Sequence, residues 1–195
     1  LNTNESLLFI NQGNGTYEKT VVFTLPGHVV SSSFNDIDKD GLLDLIISRY
    51  ATEISATSSS YYLWRNKGNN LFVEHVENTS SLASNGEIDF SFTSSFADVN
   101  NDGYNDILIA ADFYTSRLLI NDKSGNFIDM SPDLNIRQDD LEGMGTAIAD
   151  YDNDGDLDWF VSGIFAYSPT EGNLTHSGNK LLKNNGTGIF TDVSY

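Results

Sequence analysis

Three short stretches carry side chains spaced for metal chemistry. They read Asp36, Asp38, Asp40, Gly41, Asp44; then Asp98, Asn100, Asp102, Gly103, Asp106; then Asp150, Asp152, Asp154, Gly155, Asp158. Clustered carboxylates repel one another unless a cation compensates them. Eleven of the chain's 28 acidic residues fall in these fifteen positions, so the repulsion is concentrated there. Hard oxygen donors at positions 1, 3 and 5, a glycine at 6 for a sharp turn and a backbone carbonyl at 7 reproduce the ligand logic of a calcium loop. The carbonyls would come from Leu42, Tyr104 and Asp156. Magnesium fits less well, because its rigid octahedral shell tends to keep several waters. The expectation is about three calcium sites, the second weakened by Asn100 in place of an aspartate.

An EF-hand would place a bidentate glutamate at position 12 and run into a helix. Here position 12 is Ile47, Ile109 and Val161, each inside an apolar run. The loop must instead close with the aspartate at position 9 and join two strands. A single copy would be explained equally well by metal-free Asx-turns. Three copies with one spacing favour the cation.

The elements that would position these loops repeat with them. A second pattern occurs four times, with Asn11, Asn66, Asn121 and Asn184 each six residues before an aromatic, Tyr17, Phe72, Phe127 and Phe190. It supplies Gly or Asn where a tight hairpin needs positive φ, at Gly13, Gly15, Gly68, Asn70, Gly125, Gly186 and Gly188. The segments LDLIIS, NDILIA and LDWFVS suit strands buried on both faces, and Trp64 and Trp159 fall in strand patterns and read as core. Adding the stretches HVVSSSF, FSFTSSF and MGTAIA gives four sequential antiparallel strands per unit and no helical periodicity. Four-stranded units at a period of this length mark propeller blades. The predicted fold is an all-β propeller region over 1–195, with a half blade at 1–27 and blades at 28–78, 79–130 and 131–195.

Composition sets the outer bounds. The chain has 195 residues, a formal charge of −18 and no cysteine. Such an acidic balance argues against nucleic acid and anionic membrane surfaces, which are bound through Lys and Arg. No apolar run approaches the roughly 18 residues that a bilayer span needs, so the chain reads as soluble and not membrane-embedded. LNTNESLLF has neither a basic leader nor an initiator Met, which reads as a chain that begins within a longer protein. Without cysteine there is no disulfide framework, and calcium is the alternative staple for extracellular loops.

The alternation of DYDNDGDLD with LLKNNGTGIFTDVS resembles the FG-GAP or VCBS-type repeat family, whose best-known members are the integrin α-subunit propellers; the combination is similar to the cartilage acidic protein group. The chain departs from integrin blades in lacking their Gly-Ala-Pro. The resemblance covers nearly the whole chain. It implies a β-propeller with calcium in the loop between the first and second strands of each blade, held by the residues named above, and an extracellular setting.

Strand alternation puts the acidic loops and tight hairpins on one face, and the 2-3 and 4-1 loops on the other. Length freedom is concentrated on that second face, which predicts recognition of a protein or glycan ligand there. Its candidate segments are 50–61, 79–93, 130–145 and 165–178, with Tyr50, Tyr61, Phe165, Tyr167 and His176 as contact residues. Support for catalysis is thin: no nucleophile or zinc motif is present, and His28, His75 and His176 are isolated. Asp112, Asp139, Asp140 and Glu142 leave open a paired-carboxylate enzyme acting on polysaccharide, or an accessory domain of one. Asn4, Asn14, Asn78, Asn173 and Asn185 head glycosylation sequons. Three and a half blades do not close a ring, so the missing part of the chain or neighbouring copies must complete it. The leading expectation is a secreted or cell-surface calcium-binding recognition or adhesion module, with a structural subunit of an extracellular assembly as the second.

Overall fold

In a computed structural model, the chain is described over residues 5–24, 28–50, 61–75, 90–112, 115–131, 143–164, 167–168, 173–174 and 178–194. Among these residues every regular element is a strand. A first hairpin pairs β1 (Glu5–Asn11) with β2 (Tyr17–Thr24). Next come β3 (His28–Asn35), β4 (Asp44–Tyr50), β5 (Tyr61–Asn66) and β6 (Phe72–Glu74), then β7 (Phe90–Ala97), β8 (Asp106–Asp112), β9 (Arg117–Asn121) and β10 (Phe127–Asp129). The last set is β11 (Gly143–Ala149), β12 (Asp158–Gly163), β15 (Asn179–Asn184) and β16 (Phe190–Asp192), interrupted by a small ribbon of β13 (Tyr167–Ser168) and β14 (Asn173–Leu174). Each set of four is an antiparallel meander, giving a half blade and three propeller blades in an open row. One bridge, Tyr50 to Phe90, joins the first two full blades into one continuous sheet.

The innermost strand of each blade carries a register shift at the same place, between Val29 and Ser31, Ser91 and Thr93, and Gly143 and Gly145. An extra residue there sharpens strand twist, which lets successive blades fan around a common axis. Of these inner strands β3 and β7 are serine-rich where they approach one another. Ser48 and Ser94 share a buried hydroxyl hydrogen bond of 2.5 Å, Ser33 Oγ donates to the Ser94 carbonyl at 2.9 Å, and Thr93 Oγ1 donates to the Met144 carbonyl at 2.8 Å.

The faces of the blades stack, and the core lies between them. Leu45, Ile47 and Phe72 of the first full blade pack toward Leu8 of the half blade. Ile37, Ile46 and Leu63 of that blade meet Ile107, Ile109, Leu119 and Phe127 of the second. Val99, Leu108 and Leu118 of the second meet Trp159, Val161, Leu182 and Phe190 of the third. Alternate residues of one strand therefore serve two different interfaces, which is why the central strands read as continuous apolar runs. Each fully buried Ile or Leu contributes on the order of 1.5–3 kcal/mol.

The expectation of burial on both faces holds for β4 and β8 and fails for β12, where Phe160 is exposed between buried Trp159 and Val161. Trp159 is fully buried and donates to Thr146 Oγ1 at 2.6 Å, whereas Trp64 is only partly covered.

Candidate metal loops and the face they occupy

The three acidic loops fold by one plan. The first aspartate accepts two backbone N–H groups, from Asp40 (3.0 Å) and Gly41 (2.9 Å) to Asp36. The same pair of bonds runs from Asp102 (3.0 Å) and Gly103 (2.7 Å) to Asp98, and from Asp154 (3.1 Å) and Gly155 (3.0 Å) to Asp150. The aspartate at position 5 accepts the N–H of position 7: Leu42 to Asp40 at 2.8 Å, Tyr104 to Asp102 at 2.9 Å, Asp156 to Asp154 at 3.0 Å. Position 4 is left-handed in all three, with φ of 62° at Lys39, 57° at Asn101 and 63° at Asn153. The glycine at position 6 is more extreme, at 87°, 89° and 96° for Gly41, Gly103 and Gly155. A side chain there would be strained, so the glycine is set by backbone geometry.

This winding gathers oxygen donors. Asp36, Asp38 and Asp40 offer carboxylate oxygens within 4.8 Å of one another, and so do Asp150, Asp152 and Asp158. In the second loop Asp98, Asn100 and Asp102 occupy the corresponding turn, with Asn100 accepting the Asp102 N–H at 3.1 Å. The donor set is all hard oxygen, suited to a divalent cation such as calcium.

The aspartate at position 9 does more than the spacing indicated. Asp44, Asp106 and Asp158 are buried, and each uses both oxygens on backbone N–H groups. Asp106 accepts from Val99 at 3.1 Å and from Asn121 at 2.8 Å. Asp44 accepts from Ile37 (3.3 Å) and Asn66 (2.8 Å), and Asp158 from Tyr151 (3.1 Å) and Asn184 (2.9 Å). It therefore locks the acidic loop to the start of the neighbouring hairpin, which explains why the two sequence patterns alternate in register. Burial pushes the Asp106 carboxyl up to about 7 against those two hydrogen bonds, with Asp102 and Asp98 raising it further. Burial likewise raises Asp44, opposed by the Asn66 and Ile37 N–H groups and by Arg65.

Basic side chains from the hairpins reach into the loops, a feature that sequence reading missed. Arg65 pairs with Asp38 at 2.5 Å and Asp44 at 3.6 Å, and also donates to the Ser124 carbonyl of the next blade at 3.0 Å. Lys183 pairs with Asp152, and with Asp154 at 3.1 Å; Lys123 stands 3.5 Å from Asp102. Lys183 is raised above its ordinary value by Asp152 and then Asp154, while Asp154 is lowered by the Asp156 N–H and by Lys183. Arg65 and Lys183 both immediately precede the hairpin asparagine, and that shared offset was the available signal.

Adjacent loops also touch. Lys39 lies 4.0 Å from the centre of the Tyr104 ring, and Asn101 donates to Asp156 at 3.0 Å and to the Gly186 carbonyl at 3.3 Å. Acidic loops and hairpins thus share one face, as strand alternation required.

The opposite face is described only in part. Tyr50 is half-buried against Phe90 and Phe92, with ring centres 5.1 and 5.2 Å away. Phe165 and His176 lie outside the described residues, as do most of segments 50–61, 79–93, 130–145 and 165–178; for Tyr61 and Tyr167 only the strand backbone is described. Within 165–178, expected as loop, the β13–β14 ribbon forms. His75 is buried, with Nε2 3.1 Å from Asn126 Oδ1, and the His28 side chain is not among those described. Asp112 is buried at the end of β8; Asp139, Asp140 and Glu142 lie outside the described residues. Of the sequon asparagines, Asn14 and Asn185 sit on exposed hairpin tips, where Thr16 and Thr187 donate hydroxyl hydrogen bonds to them at 2.6 and 2.7 Å. Asn4 and Asn78 lie outside the described residues, and of Asn173 only the backbone is described.

Residues 98–161, which run from the second acidic loop through the third, match an FG-GAP-like repeat. This agrees with the resemblance read from the motifs. No curated protein matches the chain. Among solved structures, the chain is similar to a lectin from Agrocybe aegerita, described for its specific recognition of non-reducing terminal N-acetylglucosamine. The likeness has a TM-score of 0.57 at 18% identity and covers 97% of this chain. The chain spans 46% of the lectin's length, so what is shared is the fold over somewhat less than half of that protein. Together with the blade architecture, these likenesses identify the fold as a β-propeller built of FG-GAP-like repeats.

Proposed function

We propose that the chain is a calcium-binding β-propeller module for recognition or adhesion in an extracellular setting, secreted or at the cell surface, with no chemistry of its own. The observation that carries the reading is the threefold recurrence of one loop geometry, in which carboxylates converge within 4.8 Å in the first and third copies. Calcium would be held by Asp36, Asp38, Asp40, Asp44 and the Leu42 carbonyl; by Asp98, Asn100, Asp102, Asp106 and the Tyr104 carbonyl; and by Asp150, Asp152, Asp154, Asp158 and the Asp156 carbonyl. When bound, it supplies positive charge that offsets carboxylate repulsion and fixes the turn. Meanwhile Arg65 and Lys183 act as tethered counter-ions that the ion must displace from Asp38 and Asp152.

The ligand, a protein or a glycan, would meet the 2-3 and 4-1 loops on the face away from the metal. The lectin likeness favours a glycan without naming one. The blades would run 28–78, 79–130 and 131–195 after a half blade at 1–27. Binding of calcium to the folded loops but weakly to the unfolded chain converts into stability. The thermal midpoint should therefore rise on adding calcium, fall back with chelator, and respond less to magnesium. An unchanged midpoint with millimolar calcium rejects the metal reading.

A further inference from the structure

The residue before a hairpin asparagine lies at the contact between one blade and the next, and at one such contact it carries a charge. Ile120 fills this place between the second and third blades. Its Cδ1 stands 3.5 Å from where a Cβ on Gly188 would lie, and it packs on the apolar cluster there. Arg65 holds the same place between the first two full blades, against Gly125, the counterpart of Gly188. A Cβ on Gly125 would collide with the guanidinium, so the side chain lies directly on the backbone of that hairpin. The Arg65 side chain is only 10% exposed. Arginine stays charged throughout the ordinary pH range, and burying that charge is costly unless carboxylates compensate it.

The compensation comes from the first acidic loop. Nη1 lies 2.5 Å from Asp38 and 3.6 Å from Asp44, while Nη2 donates to the Ser124 carbonyl of the next blade at 3.0 Å. Nη1 is buried and has no aligned hydrogen bond, so charge rather than a directed bond holds it among the carboxylates. The cations at the other two loops stay closer to water. Lys183 reaches Asp152 and Asp154 with a side chain that is 36% exposed, and Lys123 stands 3.5 Å from Asp102 with one that is 58% exposed. Either lysine can swing into solvent at little cost, whereas Arg65 is pinned between two blades.

We infer that Arg65 sets the calcium affinity of the first loop. Its guanidinium supplies positive charge to Asp38 and Asp44 in advance of any metal, and calcium enters only by releasing a group that also straps the first full blade to the second. The set of Asp36, Asp38, Asp40 and Asp44 is therefore the weakest of the three sites, an order that rests on calcium binding as proposed for these loops. Charge count alone puts it above the second loop, which has three carboxylates and Asn100 at the equivalent positions. Occupancy of the first loop and closure of the neighbouring blade contact are thereby coupled, each opposing the other.

Calorimetric titration of the 195-residue chain with calcium chloride tests this. Arg65→Gln keeps a donor for the Ser124 carbonyl but no charge, and Arg65→Lys keeps the charge. In Arg65→Gln the weakest site should tighten by about tenfold or more, the scale expected when a positive charge about 4 Å from the ion is removed. Arg65→Lys should bind like wild type, and adding Asp40→Asn to Arg65→Gln should abolish the gain, which places it in the first loop. Thermal unfolding gives a second readout. In chelator Arg65→Gln should melt below wild type, and millimolar calcium should narrow the gap; a purely structural arginine would leave the gap unchanged. If wild type binds calcium and Arg65→Gln binds it no more tightly, this inference alone is overturned. An Arg65→Lys chain that tightens as much as Arg65→Gln also overturns it, because charge is then not the cause. Absence of calcium binding in both wild type and Arg65→Gln rejects the calcium reading itself. An Arg65→Gln chain that folds only with calcium supports the inference, and one that stays unfolded at millimolar calcium overturns it, since calcium has then failed to replace the guanidinium.

Discussion

Asn121 serves as hairpin former, loop brace and blade staple at once. Its N–H donates to Asp106, its amide nitrogen donates to the Ile37 and Asn105 carbonyls, and its amide oxygen accepts from Lys123 at 2.9 Å and Gly125 at 3.3 Å. Asn121→Ala leaves buried backbone groups unpaired, each costing about 1–3 kcal/mol, so a total loss of about 3 kcal/mol is expected in urea unfolding. Asn11→Ala, at an exposed hairpin of the same pattern, should cost less than about 1 kcal/mol. Equal losses would refute the staple. The sequence marked both asparagines as turn formers, because the turn is local. The staple joins residues 84 positions apart, a pairing that spacing along the chain cannot display.

At the scale of the hairpin, the reading of positive φ from composition succeeded. Gly13, Gly15, Gly68, Asn70, Gly125, Gly186 and Gly188 all lie between 61° and 85°. Lys123, at 71°, was not anticipated, since lysine carries no turn signal and adopts the conformation because Asn121 Oδ1 captures its N–H. In this third hairpin Asp122 accepts from the Ser124 N–H and hydroxyl and from the Asn126 N–H and amide. Burial alone would raise its pKa, but these hydrogen bonds outweigh burial and hold the carboxyl below the ordinary carboxylate value. For a depressed acid, the stabilisation is present above the unfolded pKa of about 4 and is lost as the pH falls through the folded value. Asp122→Asn should therefore be less stable than wild type at neutral pH, with the difference shrinking toward pH 3 in urea titrations. A difference that stays constant with pH would assign the effect to shape rather than charge. The same elements show where legibility ended. Burial of β12 was misjudged because strand composition reports what a blade can bury, not whether a neighbour is present to bury it.

For the molecule as a whole, the buried apolar clusters lie between blades, which predicts that stability resides there rather than within each sheet. A blade is one sheet with two apolar faces, and it gains little until both are covered, as in other stacked repeats. Repeat equivalence allows this to be measured with one position in two settings. Leu108 and Phe160 occupy the same place in successive second strands, one fully buried between blades and the other open. Leu108→Ala removes buried methyls and leaves a cavity between the second and third blades, for which a loss of about 2–5 kcal/mol is expected. Phe160→Ala deletes a larger side chain, yet at this exposed position the loss should stay near or below about 1 kcal/mol. Urea unfolding of both variants decides the matter. A comparable loss for the two would mean that each blade is held by contacts within its own sheet. The expected asymmetry would instead tie stability to stacking between blades.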